Sequence, residues 1–445
     1  MRKGVDVHVY EQAHFFSPTA GAGQLLQPNG AACLRALGIG APALASLVHP
    51  LQEVSLYGHE GRELVRSDAF AAIQAKYAPL PFGGIVRAEL IELLMEPVAA
   101  EGRVHHGKVL SAASQGPRGV EVVFEDGETV QADLLVGADG VHSKVADVVD
   151  VEYNRAVRSG FTKHGMRRAL PHAPADAARE ADHTFYGVID DGLAQPFTHP
   201  GLGVPGLLLE DVSQDEFISY CMGGVGAGPG AGAVVEVGEE ARAAGWRGTL
   251  MWALTYRPLV KGRRYGEEWT ERAEGDSAHE LLAAHMDRAG YRADHPVREA
   301  AARTPAARLQ HFPIAQRDFR DVWHCGRICL LGDACHPTLP YVAQGANMAL
   351  EDAVVLAEAV AGAGPEGLEM ALDEYTRRRQ ARTRAVVLRA RANGAVLRAR
   401  TSGVLARARD SMLGMLASSG MMAKAFEDVI DGCPVPLSWP AEAEG

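Results

Sequence analysis

The stretch LLGDACHPTLPYVAQGANMALEDA, Leu330 to Ala353, is the part of the sequence that decides the fold. An apolar strand is predicted over Arg327 to Leu331, a proline-broken loop follows Gly332 and Asp333, and a helix is predicted to begin near Gly345. This order places a carboxylate at the end of a buried strand and free backbone N–H groups at a helix start. In α/β proteins such an edge binds polar or anionic cofactors, although on composition alone an ordinary strand-to-helix turn is the simpler interpretation.

The sequence on either side of this stretch alternates strands and helices. VDVHVYE near the amino terminus, NGAACLRALGIG, IVRAELIELL and VEVVFEDGETVQADLLVGADG read in turn as strand, helix, helix and strands, which is the pattern of an α/β domain. The pattern loosens between Asp150 and Asp321, where LMWALTY at Leu250 to Tyr256 predicts a strand of a second, sheet-containing domain. A long Arg-rich helix is predicted from Leu368 to Arg409, with one face packed and its arginines in solvent. The apolar positions of the packed face include Val386, Val387, Leu388 and Val396.

Composition excludes several classes of function. The 445 residues are 47% hydrophobic and carry a net charge of −12, which predicts a globular protein that is no general nucleic-acid binder. No uncharged apolar run approaches the roughly eighteen residues that span a bilayer, so no membrane partner is expected. Six cysteines without a CxxC pair, and no secretory segment after Met1, predict a reduced, cytoplasmic protein. The spacing of Cys325, Cys329 and Cys335 fits no zinc pattern, so buried thiols and no metal site are predicted.

Leu331 to Ala353 resembles the GD motif of the class A aromatic hydroxylases, FAD-dependent monooxygenases such as salicylate hydroxylase and para-hydroxybenzoate hydroxylase. The resemblance implies that Asp333, after Gly332, hydrogen-bonds the ribityl chain of FAD and that Pro340 lies beside the isoalloxazine ring. It also implies that the backbone of four residues faces the pyrimidine edge and the pyrophosphate: Gln344, Gly345, Ala346 and Asn347. Ala343 stands where the family usually has glycine, and its methyl group adds bulk near the flavin.

Three further stretches are similar to motifs of the same family. ADLLVGADGVHSKV resembles its DG motif, which ties Asp139 and Gly140 to FAD and to the nicotinamide cofactor. IVRAELIELL matches an R-x-x-L helix whose arginine, here Arg87, contacts FAD, although an arginine at a helix start is more often solvated or ion-paired. GAGQLLQPNGAACLRALG at Gly21 to Gly38 resembles another family segment, so the resemblance covers both flavin-binding ends of the chain.

The amino terminus departs from the family pattern. In the family a strand, a GxGxxG turn and a helix come first, and the next strand ends in a glutamate that binds the adenosine ribose; Glu11 stands at that position. Gly4 looks like the end of that first helix, and the formal match at Gly201 to Gly206 opens no helix. Two hypotheses stay open: the natural protein carries about thirty more residues with the GxGxxG, or a short protein binds FAD poorly and has lost catalysis.

The resemblance implies an α/β fold: a split Rossmann-like FAD-binding domain, an inserted, mostly β substrate domain and a C-terminal helical segment. The predicted boundaries are residues 1–149 for the first FAD-binding part, with possible substrate-domain pieces within 50–85, then 150–321 for the substrate domain, 322–364 for the second FAD-binding part and 365–445 for the helical region.

The implied activity is hydroxylation of an aromatic or related small organic substrate. NADH or NADPH would reduce the flavin, O2 would add at flavin C4a, and the hydroperoxide would transfer its terminal oxygen. A noncatalytic or flavin-poor remnant, an epoxidase and a halogenase remain alternatives. No catalytic base is named among His183, Tyr186, His199 and Tyr220, and His336 is expected to be structural. The Met-rich Ser411 to Phe426 is interpreted as a cover of the active-site side or a contact in a possible homodimer.

Overall fold

The fold is taken from a computed structural model that describes residues 3–16, 23–57, 63–158, 179–189, 206–213, 216–225, 247–256, 273–274, 276–397, 408, 410–415 and 420–437. The formal glycine match at Gly201 to Gly206 falls almost wholly outside these residues, as does His199.

The strands are β1 (Val9–Glu11), β2 (Gly23–Leu26), β3 (His49–Pro50), β4 (Glu53–Tyr57), β5 (Glu63–Ser67), β6 (Gly83–Val86), β7 (Val104–His106), β8 (Leu110–Gly116), β9 (Gly119–Phe124), β10 (Thr129–Ala132), β11 (Leu135–Gly137), β12 (Arg179–Ile189), β13 (Gly206–Ser213), β14 (Glu216–Val225), β15 (Arg247–Tyr256), β16 (Ala273–Glu274), β17 (Leu309–Gln316), β18 (His324–Cys325) and β19 (Ile328–Leu330).

The helices are α1 (Pro28–Ala36), α2 (Ala41–Leu47), α3 (Ala69–Tyr77), α4 (Arg87–Ala100), α5 (Lys144–Arg158), α6 (Asp276–Arg288), α7 (Pro296–Arg303), α8 (Gly345–Val360), α9 (Leu368–Leu397) and α10 (Met421–Asp431). Short 3-10 turns lie at Ala306–Arg308, Gly332–Ala334 and Pro340–Val342. Among the described helices, none is both long enough and apolar enough to cross a membrane.

The chain divides into two compact units. The first contains residues 1–16, 93–180 and 315–391, and the second contains residues 17–92, 181–314 and 392–445. These units differ from the predicted domains, since the second takes all of 17–92 and the first takes 150–180. The predicted domain boundaries stay a prediction, because compactness alone does not define which parts fold independently.

The first unit is built around the predicted strand-to-helix stretch. β11 pairs in parallel with β19, which pairs antiparallel with β18, and β8, β9 and β10 form a separate antiparallel sheet. Apolar side chains of β9, β19, α5, α8 and α9 share one core. Because Ile328, Cys329 and Leu330 are all buried, β19 has the apolar pattern of a strand covered on both faces.

The amino-terminal strand of this unit is shorter than predicted. Alternation from Val5 predicted a strand over VDVHVYE, but β1 begins at Val9, where pairing in parallel with β7 begins. Among the described residues β1 pairs only with β7, and β11 pairs only with β19. The backbone N–H and C=O groups of Tyr10 and Val136 therefore point away from the strand with which each pairs. Val136 is 37% exposed. The predicted segment ahead of Met1 stays a prediction.

The second unit contains an eight-stranded sheet in the order β16-β17-β12-β15-β14-β13-β4-β5. The predicted strand at Leu250 to Tyr256 is confirmed as part of β15, between β12 and β14. Helices α6 and α7 pack their apolar residues against Phe185 and Trp252 of this sheet. A second core joins α3 to α10 through Phe70 and Ile430.

The Arg-rich helix corrects one prediction. Helix α9 buries Val386 and Val387 as expected, but Leu388 is exposed. Arg379, which was expected in solvent with the other arginines, has no exposed surface. A buried guanidinium needs charged partners, and these lie at the site described next.

Candidate cofactor site

Two carboxylates follow the ends of neighbouring parallel strands in the first unit. The register places Leu135 opposite Ile328 and Gly137 opposite Leu330. Asp139 follows β11, and Asp333 follows β19 within the 3-10 turn Gly332–Ala334. Because the carboxyl ends of parallel strands meet at one edge of a sheet, both residues belong to the edge where α/β folds bind cofactors.

Asp333 is the one exposed residue between Gly332 and His336. Gly332, Ala334, Cys335 and His336 are buried on either side of it. Although its side chain reaches solvent, the surrounding protein is close enough that burial raises the pKa of Asp333, while the charge of His336 and an N–H of the loop lower it in part. An exposed carboxylate at this position can accept hydrogen bonds from a hydroxyl-rich ligand.

The start of α8 provides the second part of the site. Its N-cap residue, Gln344, makes no side-chain capping bond, and the first turn carries no acidic residue. A Cβ added at Gly345 would meet nothing within 4 Å, so a ligand has room to approach this backbone. Asn347 is buried and donates through Nδ2 to the Ala343 carbonyl at 2.9 Å. The positive end of a sixteen-residue helix favours an anion such as a pyrophosphate.

The loop before α8 accommodates Ala343 at a position where the family usually has glycine. Pro340 is exposed and begins the 3-10 turn Pro340–Val342. Ala343 then adopts φ +50° and ψ +40°, a left-handed conformation that among the described residues no other non-glycine residue has. Glycine adopts this conformation without a steric penalty, which explains why the family pattern has a glycine at the position of Ala343.

The remaining predicted residues have local roles in the structure. Asp139 accepts hydrogen bonds from the Ser143 hydroxyl at 2.5 Å and from the Val145 N–H at 3.1 Å, and so caps α5. Gly140 adopts φ +77° in the turn between them. Glu11 ends β1 and accepts from the Ala13 N–H at 2.8 Å. Arg87 belongs to the second unit, where it opens α4 with an exposed side chain.

Comparison with known proteins agrees with this geometry. A family model described as an FAD binding domain matches residues 1–189 and 255–390. The 3-amino-4-hydroxybenzoate 2-monooxygenase PtnB3 of Streptomyces platensis is 30% identical over 389 residues, covering 87% of this chain and 81% of that protein. The chain belongs to the FAD-dependent monooxygenases. It is therefore an oxidoreductase whose cofactor is FAD, and the family resemblance in the sequence is confirmed.

Other matching proteins are more distant. The 6-hydroxynicotinate 3-monooxygenase of Bordetella bronchiseptica is 27% identical over 361 residues, covering 80% of this chain and 76% of that protein. The crystal structure of Klebsiella pneumoniae HpxO with FAD and uric acid matches with a TM-score of 0.70 at 22% identity, covering 98% of this chain and 93% of that chain. This likeness confirms the predicted fold class, an α/β FAD-binding fold with a helical carboxyl-terminal part.

A buried network of charges supports the cofactor loop of this monooxygenase. Asp352 of α8 accepts from the Gly332 N–H at 3.0 Å, from Arg379 Nε at 2.6 Å, and bonds His336 Nε2 at 2.5 Å. Glu351 bonds Arg379 Nη1 at 2.5 Å and Arg382 Nε at 2.7 Å. Sequence reasoning assigned no role to these acidic and basic residues, because charges on a helix usually face solvent.

The network fixes the charge of its members. Burial by itself would raise the pKa of Asp352, but the charges and hydrogen bonds of His336 and Arg379 outweigh burial and lower it. Burial would likewise lower the pKa of His336, and the adjacent Asp352 carboxylate reverses the direction and raises it. His336 is therefore buried, and its contact with the Asp352 carboxylate favours the protonated ring.

The same cluster is not built as a metal site. Possible ligand atoms of Cys335, His336 and Asp352 lie within 4.8 Å of one another, the one such group among the residues described. One Asp352 oxygen already holds Gly332 and His336, and burial raises the pKa of the Cys335 thiol well above its usual value. A metal needs a thiolate and free lone pairs, so hydrogen bonding explains the cluster better. Cys325 and Cys329 are buried thiols, as predicted.

Proposed function

We propose that this protein hydroxylates a small aromatic substrate with NADH or NADPH and O2, using FAD bound at the edge formed by β11, β19 and α8. The observation that carries this proposal is Asp333, an exposed carboxylate after β19, beside a long helix whose start leaves room for an anion. When bound, FAD supplies the redox and oxygen-transfer chemistry. The chain's own residues hold the cofactor and orient its ends.

Each predicted site residue has a proposed role. Asp333 accepts hydrogen bonds from the ribityl hydroxyls, and Pro340 packs beside the flavin ring. The backbone at Gln344, Gly345, Ala346 and Asn347 faces the pyrimidine edge and the pyrophosphate, where the helix dipole stabilises negative charge. Gly332 lets the loop turn at φ +60°. We further propose contacts of Glu11, Arg87, Asp139 and Gly140 with FAD or the adenosine, in addition to their local roles.

The names of the relatives support a narrower substrate class. The two relatives described above act, by name, on 3-amino-4-hydroxybenzoate and 6-hydroxynicotinate. Both substrates are aromatic rings that carry a hydroxyl group and a carboxylate. We propose a hydroxylated aromatic acid as the substrate of this chain, because an electron-rich ring reacts best with an electrophilic oxygen.

Cofactor binding is the first test. FAD is titrated into the apoprotein while flavin fluorescence is followed, and Asp333→Asn is compared with Asp373→Asn, which makes the same chemical change at an exposed position of α9. We expect Asp333→Asn to weaken FAD binding by about tenfold or more, since a hydrogen bond to a charged group is worth about 1.5–3 kcal/mol. Equal affinities for both variants would contradict the assignment of Asp333.

Retention of FAD and the product formed distinguish the alternatives. The purified native protein is analysed for bound flavin and intact mass, and then supplied with NADH or NADPH and a panel of hydroxylated aromatic acids. Substrate-stimulated oxidation of the nicotinamide with a hydroxylated product supports the proposal. An epoxide or halogenated product would favour the related flavoenzymes, and a native chain without flavin would favour the noncatalytic remnant.

A homodimer and a cytoplasmic location are also proposed. Met412, Met415 and Met421 are exposed in the second unit, within the Met-rich stretch that the sequence suggested as a contact. Exposed methionines are common at adaptable protein interfaces. Truncation after Arg409 tests the contact: sedimentation should show a dimer for the full chain and a monomer for the truncated chain. Fractionation of the host cell tests the location.

A further inference from the structure

The loop that carries Asp333 is fixed by one buried carboxylate. Asp352 contacts three parts of the first unit: the Gly332 N–H of the loop, the His336 ring of the loop, and Arg379 of α9. These partners hold the loop on both sides of Asp333. As a result Asp333 is the single exposed residue between the anchored positions.

The same carboxylate links the two parts of the cofactor site. Asp352 lies on α8, the helix whose start at Gly345 is proposed to face the pyrophosphate. It therefore joins the loop of Asp333 to that helix. Glu351, the neighbouring residue, is held by Arg379 and Arg382, so α8 is fixed in turn to α9.

We propose that Asp352 and His336 are positioning residues for FAD binding: they tie the cofactor loop to α8 and thereby hold Asp333 in the direction from which it binds the ribityl chain. This inference rests on the proposed function, because it assigns to Asp333 a contact with FAD. It goes beyond that function by giving a role to two residues that cannot touch the cofactor themselves, since both are fully buried.

Substitutions of His336 separate positioning from simple stability. His336 contacts Asp352 through Nε2. The side-chain amide nitrogen of glutamine can reach the position of Nε2, whereas that of the shorter asparagine cannot. We expect His336→Asn to weaken FAD binding by about 10- to 100-fold, by analogy with the cost of removing the hydrogen-bond partner behind a metal ligand. His336→Gln should restore most of the affinity, although both variants lose the imidazole. Glu374→Gln, at an exposed ion pair on α9, is the control that should leave FAD affinity unchanged.

A double-mutant cycle shows whether His336 acts through Asp333. FAD dissociation constants are measured for Asp333→Asn, His336→Asn and the double variant at a temperature where circular dichroism shows each to be folded. If His336 positions Asp333, the double variant binds FAD within about twofold of Asp333→Asn alone. Additive losses, or a His336→Asn protein that binds FAD like the wild type, would overturn the inference.

A second variant covers the case in which His336→Asn does not fold. Asp352→Glu keeps the charge that Arg379 requires but moves the carboxylate away from Gly332 and His336 by one methylene group. The inference predicts a folded protein with weakened FAD binding, and unchanged affinity would contradict it. Failure of the proposed function looks different: Asp333→Asn would then have no effect, or the wild-type chain would bind no FAD, and the positioning role would fall with it.

Discussion

The two compact units bury ionisable side chains in opposite ways. In the first unit Asp352, Glu351 and Arg379 lie without exposed surface and are paired as ions at 2.5–2.6 Å. In the second unit His183, His285 and His311 lie buried around Phe185 and Tyr256, with Phe185 and His311 rings 4.5 Å apart and Tyr256 and His285 rings 4.1 Å apart.

The difference shows what a buried titratable group needs. Beside opposite charges, the charged state is retained, and the pKa of His336 is raised because Asp352 outweighs burial. Where His183 packs among aromatic rings, burial lowers its pKa. The first unit uses charge to fix a loop, while the second uses imidazole as a flat side chain that packs.

Removing one ion from the buried network of the first unit should cause the largest loss of stability. Arg379→Met leaves Glu351 and Asp352 buried with fewer partners, and we expect a loss of about 3–5 kcal/mol in the free energy of unfolding. Urea unfolding followed by circular dichroism measures this loss. The matched change Arg377→Met removes an exposed ion pair and should cost less than about 0.5 kcal/mol. Similar losses of unfolding free energy for both variants would contradict a special contribution of the buried network to stability.

A neutral hydrogen bond in the second unit should have a smaller effect. Trp252 Nε1 donates to the Thr304 hydroxyl at 2.9 Å, and both residues are buried. Thr304→Val leaves the indole N–H without this acceptor and should cost about 1–3 kcal/mol, measured in the same unfolding experiment. Ser46→Ala, which removes an exposed hydroxyl, is the control. A larger loss of unfolding free energy than that of Arg379→Met would contradict the expectation that the charged network contributes more to stability than this neutral hydrogen bond.

The two histidines should respond to pH with opposite signs. The raised pKa of His336 gives stability that is present below the unfolded value near 6.5 and is lost as pH rises through the folded pKa. The lowered pKa of His183 makes folding less favourable as pH falls below that value. Each slope is at most about 1.4 kcal/mol per pH unit. Hydrogen exchange of peptides from β19 and β12, followed from about pH 5 to 8, measures each region.

Glutamine substitutions are the controls for the pH experiment. His336→Gln should flatten the alkaline loss in β19 and leave the β12 peptides unchanged. His183→Gln should flatten the acid loss in β12. An identical pH response in the wild type and in the two variants would mean that other groups determine it.

The smallest effect concerns the departure from the family pattern at the cofactor loop. Ala343 is left-handed at φ +50°, and Ala343→Gly should raise the free energy of unfolding by about 1 kcal/mol because the Cβ penalty disappears. Ala357→Gly, the same change inside α8, should lower it by about 0.5–1 kcal/mol. Thermal unfolding of the pair checks the opposite signs, and a loss at Ala343 would show that its methyl group packs usefully.

Much of the fold could be predicted because its helices and strands depend on patterns of residues that are close together in the sequence. The strand before Gly332, the helix from Gly345 and the helix from Arg87 lie where the sequence predicted them. The strand at Val5 was predicted too long, because alternation alone does not show where a paired neighbour ends. β7 offers partners only from Val104 to His106, and β1 is limited to the residues opposite them.

The candidate cofactor residues were predicted from a motif, whereas the contacts that hold their loop were not. Asp333 and Gly345 stand twelve residues apart in one recognisable stretch. Asp352 and Arg379 are separated by the second half of α8 and the first part of α9, and each alone resembles a solvated helix charge. The run of arginines after Tyr375 was the available signal, and it became informative only when one of them proved to be buried.

By itself the sequence determined the order of strands and helices, the cofactor class, and the place of Asp333 at the end of a buried strand. These depend on residue periodicity and on a motif of neighbouring residues. Only the tertiary structure decided which charges are buried, which histidine lies against a carboxylate, and which loop residues remain exposed. Such properties depend on the distance between atoms that are far apart in the chain, and both Coulomb energy and desolvation are set by that distance.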